Sequence, residues 1–178
     1  EGLASRTQAG IYDDCFIPML TSLTDRIHRE GGLVFAQLHH AGRLQGVGTT
    51  VLPAVGASHL TAPGKAENVH ALTGEEVRTV IHKFVKAAER AKQAGVDGVE
   101  IHGAHGYLLA QFLSKGVNKR VDEYGGSVTN RARIVCEMIC AVKAACGNDF
   151  PVCVRTSGEE GFHGGNSIED AAAQAMLF

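Results

Sequence analysis

The residue types able to do chemistry crowd into His102-Gly-Ala-His105-Gly-Tyr107, which sets two imidazoles and a phenol within six residues. All three side chains can face one cavity, and two readings of the histidines are open: they can cap or hydrogen-bond a turn, or they can ligate a metal. Metal binding needs a further ligand. Glu100 is the candidate, because residues two apart on a strand share a face. His39-His40 poses the same question with no partner at ligand spacing, and turn polarity is enough to explain it. Gln37 and Arg155 close the apolar runs LVFAQL and PVCVR. A guanidinium in such a place needs an anion, a carboxylate or an electron-rich ring, either as a site or as a structural salt bridge. An amide there can brace a loop, or read both a donor and an acceptor on a heterocycle.

These residues need elements to hold them. After Asp13 and Asp14, which can cap, the spacing of Phe16, Leu20, Leu23 and Ile27 predicts a helix that closes on Gly31-Gly32. Leu33 to Leu38 follows as a short apolar run of the kind found in a strand buried on both faces. Residues 42–72 show no period, and a connection of that length is expected to overhang a site. Thr73-Gly-Glu-Glu76 is a capping box opening a helix with Val77, Val80, Ile81, Phe84, Ala88 and Ala91 on one face, ended by Gly95. Val96 to His102 is the second strand, and Tyr107 to Leu113 begins a helix. Past a polar segment at 114–129, Ile134, Val135, Met138, Ile139 and Val142 mark a further helix. Pro151 to Arg155 is the third strand, and Ser167 to Asp170 opens one more helix.

Helices alternating with apolar strands imply a parallel sheet, either doubly wound or closed as a (β/α)₈ barrel. Both architectures bind ligands at the carboxyl edge, where Gln37, His102 and Arg155 are expected to project. No GxGxxG follows a strand, which counts against a Rossmann dinucleotide site.

The chain has 178 residues, 44% of them hydrophobic, and a formal charge of −2 from 17 basic and 19 acidic residues mixed along its length. With no basic stripe, nucleic acid is not an expected partner, and no apolar run approaches a membrane span. The expected partner is a small-molecule substrate, and the oligomeric state is left open. Cys15, Cys136, Cys140, Cys146 and Cys153 match no disulfide framework, so a reducing, cytoplasmic compartment is expected. Cys136 and Cys140 stand four apart on a helix, but read as buried thiols rather than a metal site. A first residue other than Met, and an end within an apparent helix, suggest that both native termini are missing.

Residues 99–127, VEIHGAHGYLLAQFLSKGVNKRVDEYGGS, followed by Asn130-Arg131-Ala132-Arg133, closely resemble the signature of the NADH:flavin oxidoreductase and old yellow enzyme family. Further matches are QLHHAGR from Gln37 to Arg43, FVKAAERAKQAGVDG from Phe84 to Gly98, and VCVR from Val152 to Arg155. Lys115 and Val121 replace the family's usual Pro and Thr. The resemblance implies an α/β fold of the (β/α)₈ TIM-barrel type, incomplete, with about three of eight strands. Residues 1–178 would then form a partial flavin-binding domain lacking its N- and C-terminal parts.

The resemblance also implies roles. Gln37 would contact the pyrimidine edge of FMN, and Arg155 would sit where the flavin gathers negative charge on reduction. His102 and His105 resemble the family's donors to the carbonyl of an α,β-unsaturated substrate, and Tyr107 resembles its proton donor. The implied activity uses NADH or NADPH to reduce activated C=C bonds of unsaturated carbonyl or enoyl and dienoyl thioester compounds. A branch of the family carries an iron–sulfur cluster beyond this region, and none of the five cysteines here has its spacing. Two alternatives stand beside this one: a metal-dependent barrel hydrolase or lyase using His102, His105 and Glu100, and a fragment without activity of its own.

Overall fold

The computed structural model describes residues 2–46, 48–65 and 67–178. Three parallel strands, β1 (Phe35–Leu38), β4 (Gly98–Gly103) and β5 (Val152–Thr156), form one sheet in the order β1-β4-β5. Two further strands, β2 (Ala54–Gly56) and β3 (Val69–Ala71), pair in parallel within the long connection. The helices are α1 (Ile17–Arg29), α2 (Gly74–Gln93), α3 (Leu108–Leu113), α4 (Val128–Cys146) and α5 (Ile168–Ala175).

Local chemistry starts and stops these elements where the pattern predicts. Asp13 accepts from the Cys15 N–H at the 3₁₀ turn that leads into α1, and Pro18 occupies the first turn, where its missing N–H costs nothing. Thr73 and Glu76 form the full capping box of α2, and Ser167 with Asp170 does the same for α5. Ser127 caps α4 by accepting from the Asn130 N–H.

The core lies on one side of the sheet. Leu38, Val99 and Ile101 turn toward α2 and α4, meeting Val77, Phe84, Ile134 and Met138, and all six residues of α3 are buried. The opposite face is open. Leu33 is 78% and Phe35 45% exposed, and Gln37, Cys153 and Arg155 alternate outward with them, so β1, expected to be buried on both faces, is covered on one face only, whereas β4 in the middle of the sheet is buried at every residue but Glu100, which is partly exposed. Among the described residues no helix packs over β1 and β5 on that side, where the strands of a closed barrel would face one another.

The segment 42–72 is more structured than its sequence suggests, with a 3₁₀ turn at Gly42–Leu44 besides β2 and β3; positions 47 and 66 lie outside the described residues. Strands of three residues cannot develop an alternation that reads as a period. Of the five cysteines only Cys146 is buried, so the expectation of buried thiols fails at Cys140, which lies on the exposed side of α4. All five are free thiols.

Candidate active site at the carboxyl edge of the sheet

The link from β4 to α3 carries the cluster. His105 adopts φ 59°, a backbone conformation that side chains rarely take, and Gly106 follows at φ 73°. This left-handed pair folds the chain sharply at the strand's end, and strain of that kind at a non-glycine residue is typical of functional turns. Tyr107 is the N-cap of α3, with its N–H donating to the Ala104 carbonyl and its carbonyl accepting from Gln111. Its side chain makes no capping bond. The phenol ring therefore stands free of the backbone, with its centroid 5.4 Å from that of His102.

His102 and His105 converge, with Nε2 of the first 3.4 Å from Nδ1 of the second. The His102 side chain is 4% exposed, and its Nδ1 is buried without a partner among the described residues. Burial holds the His102 imidazole below its ordinary pKa, and the nearby His105 and Arg155 charges act in the same direction. Register places His102 opposite Arg155, whose exposed side chain points out on the open face. An exposed guanidinium needs no buried counter-charge, so the pairing expected for Arg155 is not required by this chain.

Gln37 sits one layer lower than expected. It pairs in register with Glu100, which in turn pairs with Cys153, so it lies two residues down the barrel face from His102 and Arg155. Its Nε2 donates to the Glu100 carboxylate. Glu100 is thus engaged by the glutamine rather than gathered with the histidines, and no group of three His, Cys, Asp or Glu side chains able to hold a metal occurs among the described residues.

Two contributors were not assigned to the site from the sequence. His39, read as a polar turn residue, lies against the cluster, its ring edge-on to Tyr107 at 4.3 Å and 5.5 Å from His102. Its Nε2 is buried without a partner among the described residues, and burial, with His102 adding like charge, pulls its pKa down to about 4. Gln111, 1% exposed, joins the two turns beneath the cluster, donating to the Gly106 carbonyl at 2.8 Å while its Oε1 faces the Arg43 N–H at 3.5 Å. Gly42 (φ 59°) permits this close approach, since a Cβ there would come within 2.9 Å of the Leu108 Cα. A backbone bond from Leu108 N–H to the His40 carbonyl completes the clamp between the first strand's end and α3. Only the sequence neighbours 102–107 were visible as a group, because strand pairing and helix docking bring in the others.

The parallel βα units fit a segment of either a (β/α)₈ barrel or a doubly wound sheet, and the polar cluster lies at the strand ends, where both place ligands. Over residues 1–178 the chain matches the NADH:flavin oxidoreductase / NADH oxidase family, and it belongs to that family. It is 42% identical over 171 residues to a protein named NADH oxidase from Thermoanaerobacter brockii, covering 96% of this chain and 26% of that protein. An NADPH dehydrogenase of Listeria monocytogenes serotype 4b is 41% identical, with 95% of this chain and 48% of the relative covered. Among solved structures, a 2-naphthoyl-CoA reductase in complex with 2-naphthoyl-CoA superposes with a TM-score of 0.92 at 31% identity, over 99% of this chain and 29% of that one. The old yellow enzyme homologue from Zymomonas mobilis gives 0.88 at 32% identity, over 99% and 53%. The chain thus spans from about a quarter to about half of the length of these relatives. Its three-stranded sheet is an arc of their barrel, which decides between the two architectures the alternation allowed.

Proposed function

We propose that the whole protein is an FMN-dependent oxidoreductase that draws electrons from NADH or NADPH and reduces activated C=C bonds of α,β-unsaturated carbonyl compounds or enoyl and dienoyl thioesters. The observation that carries this reading is the convergence of His102, His105 and Tyr107 above an open sheet face that bears Arg155 and Gln37. That face suits a flavin on three counts: an amide for a heterocycle edge, a cation for accumulating negative charge, and a buried His102 nitrogen left unpartnered.

When bound, FMN would supply the hydride chemistry that links the nicotinamide to the alkene. The chain's own residues do the rest. His102 and His105 nitrogens 3.4 Å apart are placed to serve one acceptor, the carbonyl oxygen on which charge builds as hydride arrives. A neutral His102, favoured by its lowered pKa, donates from one nitrogen only, so its tautomer decides whether it helps. Tyr107 delivers a proton to the α-carbon as general acid. Arg155 would hold the flavin by favouring negative charge on it, and Gln37 would hold it through its pyrimidine edge.

The protein would act on a small molecule in the cytoplasm. Five free thiols fit a reducing compartment, and among the described residues no helix is long and apolar enough to cross a membrane. The test is to release and identify the flavin of the purified full-length protein, and to follow NAD(P)H oxidation with and without a simple cyclic enone. FMN in about one equivalent and enone-dependent oxidation are expected. A protein that carries no FMN and takes none up would overturn the reading.

A further inference from the structure

We propose that Glu100 is a positioning residue that fixes the orientation of the Gln37 amide, so that the glutamine offers its carbonyl oxygen to an N–H of the bound heterocycle. This rests on the flavin reading above. Gln37 and Glu100 are register partners on adjacent parallel strands, both on the open barrel face, and the amide nitrogen donates to the carboxylate. A glutamine amide has two orientations of almost equal shape, and what selects between them is the hydrogen-bonding character of its neighbours. An ionised carboxylate accepts and never donates, so it draws the NH₂ group toward itself and sets the carbonyl oxygen on the far side of the amide carbon.

Neighbouring groups leave this selection intact. Cys153, the register partner of Glu100 on its other side, directs its thiol to the Val99 carbonyl at 3.7 Å. His102, two residues on, makes its polar contact with His105. The ligand chemistry that follows is specific. An acceptor oxygen with an N–H beside it matches an imide edge, where a ring N–H is flanked by carbonyls, and rejects a ring nitrogen that can only accept. An unselected amide would present either edge and discriminate less.

The experiment is a double-mutant cycle on FMN affinity of the full-length apoprotein, read by quenching of flavin fluorescence, with Gln37→Ala, Glu100→Ala and the pair. Glu100→Ala alone should weaken FMN about tenfold, equivalent to about 1.4 kcal/mol. In the Gln37→Ala background the same change should cost less than about twofold, because there is no amide left to orient. Glu100→Gln keeps the shape but can satisfy either orientation of Gln37, so it should lose about threefold, again only with Gln37 present. It also covers the case in which the alanine variant does not fold. Unchanged affinity in Glu100→Ala and Glu100→Gln overturns the proposal, as does equal weakening with and without Gln37, which a merely structural carboxylate would give. If the parent protein binds no FMN, the flavin reading fails first, whereas FMN binding without coupling removes this inference alone.

Discussion

Tyr107 is the residue that can separate the two halves of the proposed reaction, since the role proposed for it is protonation of the alkene and not reduction of the flavin. Tyr107→Phe removes the proton donor and keeps the ring packed against His39, so flavin reduction by NAD(P)H should persist while alkene turnover falls by about 10² to 10⁴. His39 offers a test by pH. Its folded pKa of about 4 lies below the ordinary imidazole value of 6.5, so the unfolded chain takes up the proton first as pH falls. The stability it supports is steady above pH 6.5 and is lost as pH drops from 6.5 toward about 4. Unfolding midpoints across that window should fall less steeply in His39→Phe, and an identical slope would show that the ring is not held neutral by the fold. Gln111→Leu should cost about 1–3 kcal/mol by leaving the Gly106 carbonyl without its donor, and should loosen the turn that carries His105. The pair His102 and His105, with Tyr107, was legible in the sequence because it is contiguous. His39 and Gln111 were not, since one reaches the cluster through the β1–β4 pairing and the other from the buried side of α3.

At the scale of elements, α2 was the most legible, because its capping box, its apolar face and its terminal glycine agree. Thr73→Ala removes the cap, and about 1 kcal/mol with it, which for a chain of this length should lower the thermal midpoint by about 2–4 °C. A change inside measurement error would mean that α2 is held by packing alone. The segment 42–72 was the least legible. Its short strands exist because Arg120 reaches across to the carbonyls of Ala57 and Leu72 and the Lys119 N–H donates to Ser58, contacts from a distant part of the chain that no local period records. The run LVFAQL reads as a strand buried on both faces, yet among the described residues its second face has no cover. An apolar strand is the same string whichever elements cover it, and the cover comes from partners that the string does not name.

For the whole molecule, alternation announced a parallel sheet, but its closure was not readable from period. The open face of the three-stranded arc exposes Phe35, and Leu33 just before β1 is exposed as well, apolar surface that favours association together with the sheet's unpaired edges. The 178-residue chain alone should elute above its monomer mass in size-exclusion chromatography, and a stable monomer with cooperative unfolding would show that it closes its own core. The central claim is that the residues gathered at the carboxyl edge perform flavin-dependent alkene reduction. Its most direct test is stopped-flow absorbance of the full-length protein, pre-reduced with NADPH and mixed with a cyclic enone, comparing parent with Tyr107→Phe and with His102→Ala. Reoxidation of the flavin by the enone is expected at least about a hundredfold slower in both variants, with reduction by NADPH little changed. Reoxidation at the parental rate in both would contradict the assignment of this cluster as the reacting site.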